Sequence, residues 1–134
     1  MTTGARLKSA AEFLAGEALM GWRDHKLLDV VWTDGKGFCI RKDRWKPYAD
    51  TPEGLRQCLG KGGIVEKMRH VGWDFLAATW ADYPYNLNPD RPEGAYQAIF
   101  WKTKVDFSKK EAFNDILGAA ITLAAATALG WKEE

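Results

Sequence analysis

The chain has 134 residues, 46% hydrophobic and 28% charged, and its 19 basic and 18 acidic side chains leave a net charge of +1. A chain of this length buries roughly two-thirds of its unfolded surface around one core, so a single domain over 1–134 is expected, and the composition excludes extended disorder. The near-neutral balance excludes a global field that would draw in long nucleic acid or an anionic bilayer, so any anion site must be local.

The amino-terminal segment carries Arg6, Lys8, Glu12 and Glu17, which argues against a long apolar signal core. From Ala5 to Met20 the positions Leu7, Ala11, Leu14 and Ala18, continued by Trp22, recur at helical spacing, predicting an amphipathic helix that stops at Gly21. In "LLDVVWTDGKGFCIRKDRW" two short apolar runs flank Asp34-Gly35, predicting a hairpin with strands near 28–33 and 37–41. Thr51, Pro52 and Glu53 supply an N-cap, a proline suited to the first helical position and an acid in the first turn. The helix they start carries Leu55, Cys58 and Leu59, is interrupted by Gly60, Gly62 and Gly63, and resumes with Ile64, Val65, Met68 and Val71. Glycines cost about 1 kcal/mol each against alanine, so a broken helix is expected.

"WDFLAATW" and "GAYQAIFWKTK" read as antiparallel strands, joined by residues 82–94. The stretch 108–130 opens with Ser108 and Glu111 in capping-box spacing and closes at Gly130, predicting one long final helix. Phe113, Ile116, Leu117, Ala120, Ile121 and Ala124 form one apolar face, and Ala119, Thr122, Ala125 and Ala126 leave the other uncharged. Such a helix is buried on more than one side, which also offers a subunit contact. Its uncharged run of 15 residues falls short of the roughly 20 needed to span a bilayer. The sum is an α+β fold of order α-β-β-α-β-β-α, with helices packed on a four-stranded, mainly antiparallel sheet.

"GEALMGW" at 16–22, Trp32, "WKPYADT" at 45–51, "GIVEKMRHVGWDF" at 63–75 and "DILGAAITLAAATALG" at 115–130 fall where similar landmarks do in the phage ABA sandwich domain family. In this respect most of the chain resembles these small phage and prophage proteins. The resemblance implies a three-layer α-β-α sandwich, a phage accessory role in the cytoplasm of an infected bacterial host, and no catalytic residues. The connection at 82–94 departs from the family by its length.

Few residues suggest catalysis. His25 and His70 lack metal-ligand spacing, and Cys39 and Cys58, 19 apart and outside any CxxC pattern, read as buried free thiols. Ser108 is explained as a helix cap, Ser9 lies within a helix, and Asp82 and Asp90 share a loop. No metal, cofactor or enzymatic activity is expected. "GKGG" at 60–63 offers either a phosphate-cradling set of N–H groups or a simple kink.

The binding chemistry lies instead in mixtures of rings and cations, because guanidinium and ammonium groups grip phosphate while flat rings stack on bases. Arg41, Arg44, Trp45 and Tyr48 form one such mixture, and Trp101 with Lys102 a second. The 82–94 connection is stiffened by Pro84, Pro89 and Pro92 and carries Tyr83, Tyr85, Asn86, Asn88 and Arg91, residue types that binding loops use. The expected function is a non-enzymatic, homo-oligomeric phage protein that binds and sequesters a small nucleotide-derived immune signal; small phage proteins of other families act in this way, an analogy of role alone. The alternative is an interaction module that binds a host or phage polypeptide through an exposed aromatic surface.

Overall fold

The computed structural model describes residues 2–79, 96–102 and 108–133. Helix α1 (Thr3–Phe13) is capped by the Thr2 hydroxyl, which accepts the Ala5 N–H at 3.1 Å, and buries Leu7, Ala10 and Ala11. It ends sooner than its periodicity predicts. Gly16 leaves helical geometry inside a wide turn over Leu14–Ala18, and the N–H groups of Met20 and Trp22 return to the Leu14 and Ala15 carbonyls.

Strands β1 (Arg23–Asp24), β2 (Val31–Thr33) and β3 (Cys39–Arg41) form an antiparallel sheet in that order. The hairpin centred on Asp34-Gly35 is present, with a wider loop than the dipeptide suggests. Asp34 Oδ1 accepts the N–H groups of Lys36 and Phe38 at 2.7 and 3.1 Å, and the Thr33 hydroxyl donates to the Phe38 carbonyl at 2.8 Å. A short 3-10 turn, Lys42–Arg44, follows.

Helix α2 (Pro52–Leu59) starts as its sequence dictates, with Thr51 Oγ1 accepting the Gly54 N–H at 3.0 Å. Helix α3 (Ile64–His70) resumes after the glycine break, where Gly62 takes φ +75°, a left-handed conformation costly to other residues. The break turns α3 so that Ile64 and Met68 are fully buried.

Strands β4 (Asp74–Thr79), β5 (Tyr96–Trp101) and β6 (Lys109–Asn114) form a second antiparallel sheet, with Phe75 opposite Phe100 and Ala98 opposite Ala112. The expected four-stranded sheet is therefore corrected: among the described residues the strands divide into two three-stranded sheets. The single helix over 108–130 is corrected as well. Its first third is β6, and α4 spans Leu117–Ala128. Ser108 caps no helix; its carbonyl accepts the Lys102 N–H at 3.0 Å and extends the β5–β6 ladder. Asn114 turns the chain into α4, its Oδ1 accepting the Ile116 N–H at 3.0 Å.

Helix α4 lies against β5 and β6 on one side and against α1, α2 and α3 on the other. Every residue from Gly118 to Ala126 is buried within the chain, as the two-sided apolar pattern predicts. That burial removes α4 as the surface for a subunit contact. The core joins it to Ala98, Phe100, Ile64, Met68, Leu14 and Trp45. No helix among the described residues is long and apolar enough to cross a membrane.

The two cysteines differ in kind. Cys39 is exposed on β3, against the expectation of burial, whereas Cys58 is buried with its Sγ 3.1 Å from the Pro47 carbonyl. Burial, partly opposed by a hydrogen bond to Thr122, pushes the Cys58 thiol up to about 12. At pH 8 a thiol reagent is expected to modify one cysteine in the native protein and the second only in denaturant, read by mass spectrometry. Rapid native labelling of both would contradict the packing. Because the folded state keeps this proton to about 12 while the free thiol loses it near 9, Cys58's contribution is intact below pH 9. It declines as pH rises from there to 12.

Candidate functional site

Four aromatic rings gather where the wide turn after α1, the first sheet and the 3-10 turn meet. Trp22 stacks on Trp32 and Phe38 at centroid distances of 6.2 and 5.4 Å and meets Trp45 edge-on at 4.9 Å. Trp45 is 4% exposed, and its indole N–H donates to the Ala11 carbonyl at 2.7 Å. The segment bearing Trp45 is clamped to α2 by Gln57, whose Oε1 accepts the Lys46 N–H at 3.0 Å and whose Nε2 donates to the Arg44 carbonyl at 2.7 Å. Both main-chain partners flank Trp45, so the clamp fixes the indole from either side.

Two clefts open beside this cluster and share Trp45 as a wall. The first, about 540 Å³, lies between the β2–β3 hairpin and the α2–α3 break. Met20, Trp22, Phe38, Ile40 and Trp45 give it apolar and aromatic walls, and Arg56, Lys61 and Lys67 bring cations from the helical side. None of these three cations has an ion-pair partner among the described residues. Asp34 and Glu53 supply its carboxylates. The Lys36 backbone N–H is the main cause holding the Asp34 carboxyl below its ordinary value, helped by the Phe38 N–H and the Lys36 charge against a desolvation penalty.

The second cleft, about 560 Å³, is lined by Trp32, Tyr48 and Trp45 with Lys8, Arg41, Lys42 and Lys46. Its cations are mostly spoken for. Lys8 lies 4.0 Å from Glu12, Arg41 3.0 Å from Asp43, and Lys42 2.6 Å from Asp24 while also sitting over the Trp32 ring. Burial, then the Glu12 charge, raises the Tyr48 phenol above its ordinary value. An anion entering here must compete with carboxylates already in place, whereas the first cleft offers unpaired charge.

No family model matches the chain, and no curated protein or solved structure does. The resemblance to the phage ABA sandwich family rests on the sequence segments alone.

Of the residues expected to bind ligand, Arg41, Trp45 and Tyr48 do come together, in the second cleft. Arg44 lines neither cleft; its carbonyl is spent on Gln57. Trp101 ends β5, Lys102 follows it, and they also line neither, with Lys102 Nζ 4.9 Å from the centre of the Trp73 ring. Tyr83, Tyr85, Asn86, Asn88 and Arg91 lie outside the described residues, as do Asp82 and Asp90. The first cleft adds Trp22, Phe38, Arg56, Lys61 and Lys67. Only Lys61 had a visible signal, inside "GKGG".

That glycine segment lines the cleft but does not act as a backbone cradle. The Gly60 N–H donates to the Arg56 carbonyl, the Gly63 N–H to the Gly60 carbonyl, and the Gly62 N–H to Glu66 Oε2, at 2.7, 2.9 and 3.2 Å. With those donors satisfied internally, charge in the cleft comes from side chains. His25 is likewise structural: its Nδ1 accepts the N–H groups of Leu27 and Leu28 at 3.1 and 3.2 Å. Ser9 accepts the Trp131 indole N–H at 3.2 Å. Among the described residues no group of three or more His, Cys, Asp or Glu side chains could hold a metal ion.

Proposed function

We propose that the protein binds a small, phosphate-bearing, nucleotide-derived ligand in the first cleft and holds it without altering it, as a phage protein that sequesters an immune signal would. The observation that carries this reading is the meeting, in one cleft, of the Trp22 and Phe38 rings with the unpaired cations Arg56, Lys61 and Lys67. Ring stacking contributes about 1–3 kcal/mol per base, whatever the base. Unpaired cations at the opposite wall supply the phosphate end, and the volume of about 540 Å³ lies within the range of small-molecule sites.

Calorimetric titration with cyclic nucleotides and ADP-ribose derivatives tests the reading, followed by denaturation and recovery of the ligand. Heat of binding with unchanged ligand supports it; chemical conversion would make the protein an enzyme, and silence across the panel would remove the proposal. Arg56→Ala, Lys61→Ala and Lys67→Ala are each expected to weaken binding about fivefold to tenfold, the worth of a charge-assisted contact in a partly hydrated site. The penalty should shrink as salt is added. Arg69→Ala, on the exposed side of α3, should leave affinity unchanged.

A second reading, a polypeptide-binding module, is favoured by the turn between β1 and β2. There Leu27, Leu28 and Val30 are 86, 52 and 58% exposed, although His25 pins the backbone that displays them. A partner retained by Leu27→Asp as well as by the native protein would count against that turn as the contact.

A further inference from the structure

Resting on the nucleotide reading above, we infer that the first cleft selects a base whose Watson–Crick edge carries two adjacent hydrogen-bond donors, guanine in preference to adenine, and that Asp34 reads that edge. Asp34 and Phe38 face each other across the hairpin loop: the Asp34 N–H donates to the Phe38 carbonyl at 3.3 Å, and the Phe38 N–H donates back to Asp34 Oδ1 at 3.1 Å. Phe38 is 44% exposed and its ring stacks on Trp22, so the ring's outer face is a shelf with a carboxylate at its border.

The two oxygens of that carboxylate have different duties. Oδ1 takes the N–H groups of Lys36 and Phe38, at 2.7 and 3.1 Å, which fixes the side chain in one orientation. Oδ2 has no hydrogen-bond or ion-pair partner among the described residues. A carboxylate only accepts, and this one is held ionised by its own turn. It is therefore a preoriented acceptor beside a stacking surface, with little side-chain freedom to lose on binding.

Guanine presents an N1–H and an exocyclic N2 amine on the edge that would meet Oδ2. Adenine presents an N1 lone pair and a C2–H at the corresponding positions, and its one edge donor, the N6 amine, lies where guanine carries O6, so adenine offers a carboxylate one donor beside a repelling lone pair. Hypoxanthine keeps the N1–H but lacks the amine. The cations across the cleft, Arg56, Lys61 and Lys67, take phosphate whichever base is attached. Base choice and phosphate affinity are thus carried by separate walls.

The experiment is calorimetric titration of the native protein and of Asp34→Asn with GMP, IMP and AMP. In the native protein GMP is expected to bind about tenfold more tightly than AMP, the worth of one good base-edge contact, with IMP between them. In Asp34→Asn the amide oxygen can still accept the turn N–H groups while its nitrogen replaces Oδ2 as a donor, so the ratio should fall to about one or invert. Equal native affinity for GMP and AMP, with Arg56→Ala weakening both, would overturn base selection while leaving the proposed function standing. A tenfold GMP preference that survives Asp34→Asn would overturn the role of Asp34. Failure of all three nucleotides, together with the wider panel, would overturn the proposed function and this inference with it.

Discussion

Replacing Trp45 with alanine is expected to lower stability by about 4 kcal/mol, the middle of the range for removal of a large core ring. The indole is 4% exposed, contacts the Trp22 ring edge-on at 4.9 Å, and donates its N–H to the Ala11 carbonyl on α1 at 2.7 Å. It therefore ties α1 to the segment that α2 holds through Gln57, and its loss opens a cavity between elements that cannot all close in. Trp45→Phe separates the contributions. A phenyl ring retains much of the packing but not the N–H, so a loss of about 1 kcal/mol is expected. Denaturant midpoints at constant slope measure both values. A Trp45→Ala loss below about 0.5 kcal/mol, the scale of an ordinary surface change, would show that the indole is not the tie described. The same substitution removes a wall shared by both clefts, so Trp45→Phe is the variant for any binding comparison.

Legibility of the fold follows how local each determinant is. Thr51, Pro52 and Glu53 mark the start of α2 with chemistry complete within four residues, and Thr51 caps Gly54 as expected. The β2–β3 hairpin was equally readable, since Asp34 organises its own turn. Strand β6 was not. Ser108 and Glu111 have the spacing of a capping box, yet Lys109–Asn114 completes a ladder along β5, with Gln97 opposite Phe113 and Phe100 opposite Lys110. Pairing with a remote strand outweighed a local helix signal, a common tertiary override of propensity.

The candidate site was legible only in its chemistry. Rings and cations do line both clefts, and Trp45 is a wall of each. The cleft between hairpin and helices, however, draws on Trp22, Phe38, Arg56 and Lys67, four positions that no short window contains. Trp22 read as the continuation of a helical stripe, because nothing in the sequence revealed that regular helix ends at Phe13. Of the two readings of 60–63, the kink is present and the cradle is not, for a related reason: the chain's own carbonyls and Glu66 occupy the Gly60, Gly62 and Gly63 donors. Those partners become visible only when the break has a geometry.

Gly118→Ala supplies a prediction whose sign is decided by magnitude. Gly118 lies near the start of α4, and in a helix alanine is favoured over glycine by about 1 kcal/mol, so propensity alone forecasts stabilisation. Packing forecasts the reverse. A methyl group at Gly118 would overlap the Pro47 carbonyl oxygen, and the Cys58 sulfur lies just beyond, at 3.6 Å from the added carbon. Neither neighbour is free to withdraw. Pro47 and Cys58 are both fully buried, and Cys58 Sγ already bridges the Pro47 and Gly118 carbonyls at 3.1 and 3.7 Å. Overpacking of this kind costs about 1–3 kcal/mol and more where backbone must move. With backbone as the obstacle, a net loss of about 2 kcal/mol is expected after the propensity gain is subtracted. Thr127→Ala, at an exposed position of the same helix, isolates the propensity effect and should be neutral or slightly stabilising. Equilibrium denaturation of the two variants beside the native protein decides the matter: Gly118→Ala at or above native stability would mean that α4 does not approach the Pro47 segment this closely. The displaced backbone adjoins Trp45, so the loss should be accompanied by a change in tryptophan fluorescence that Thr127→Ala does not produce.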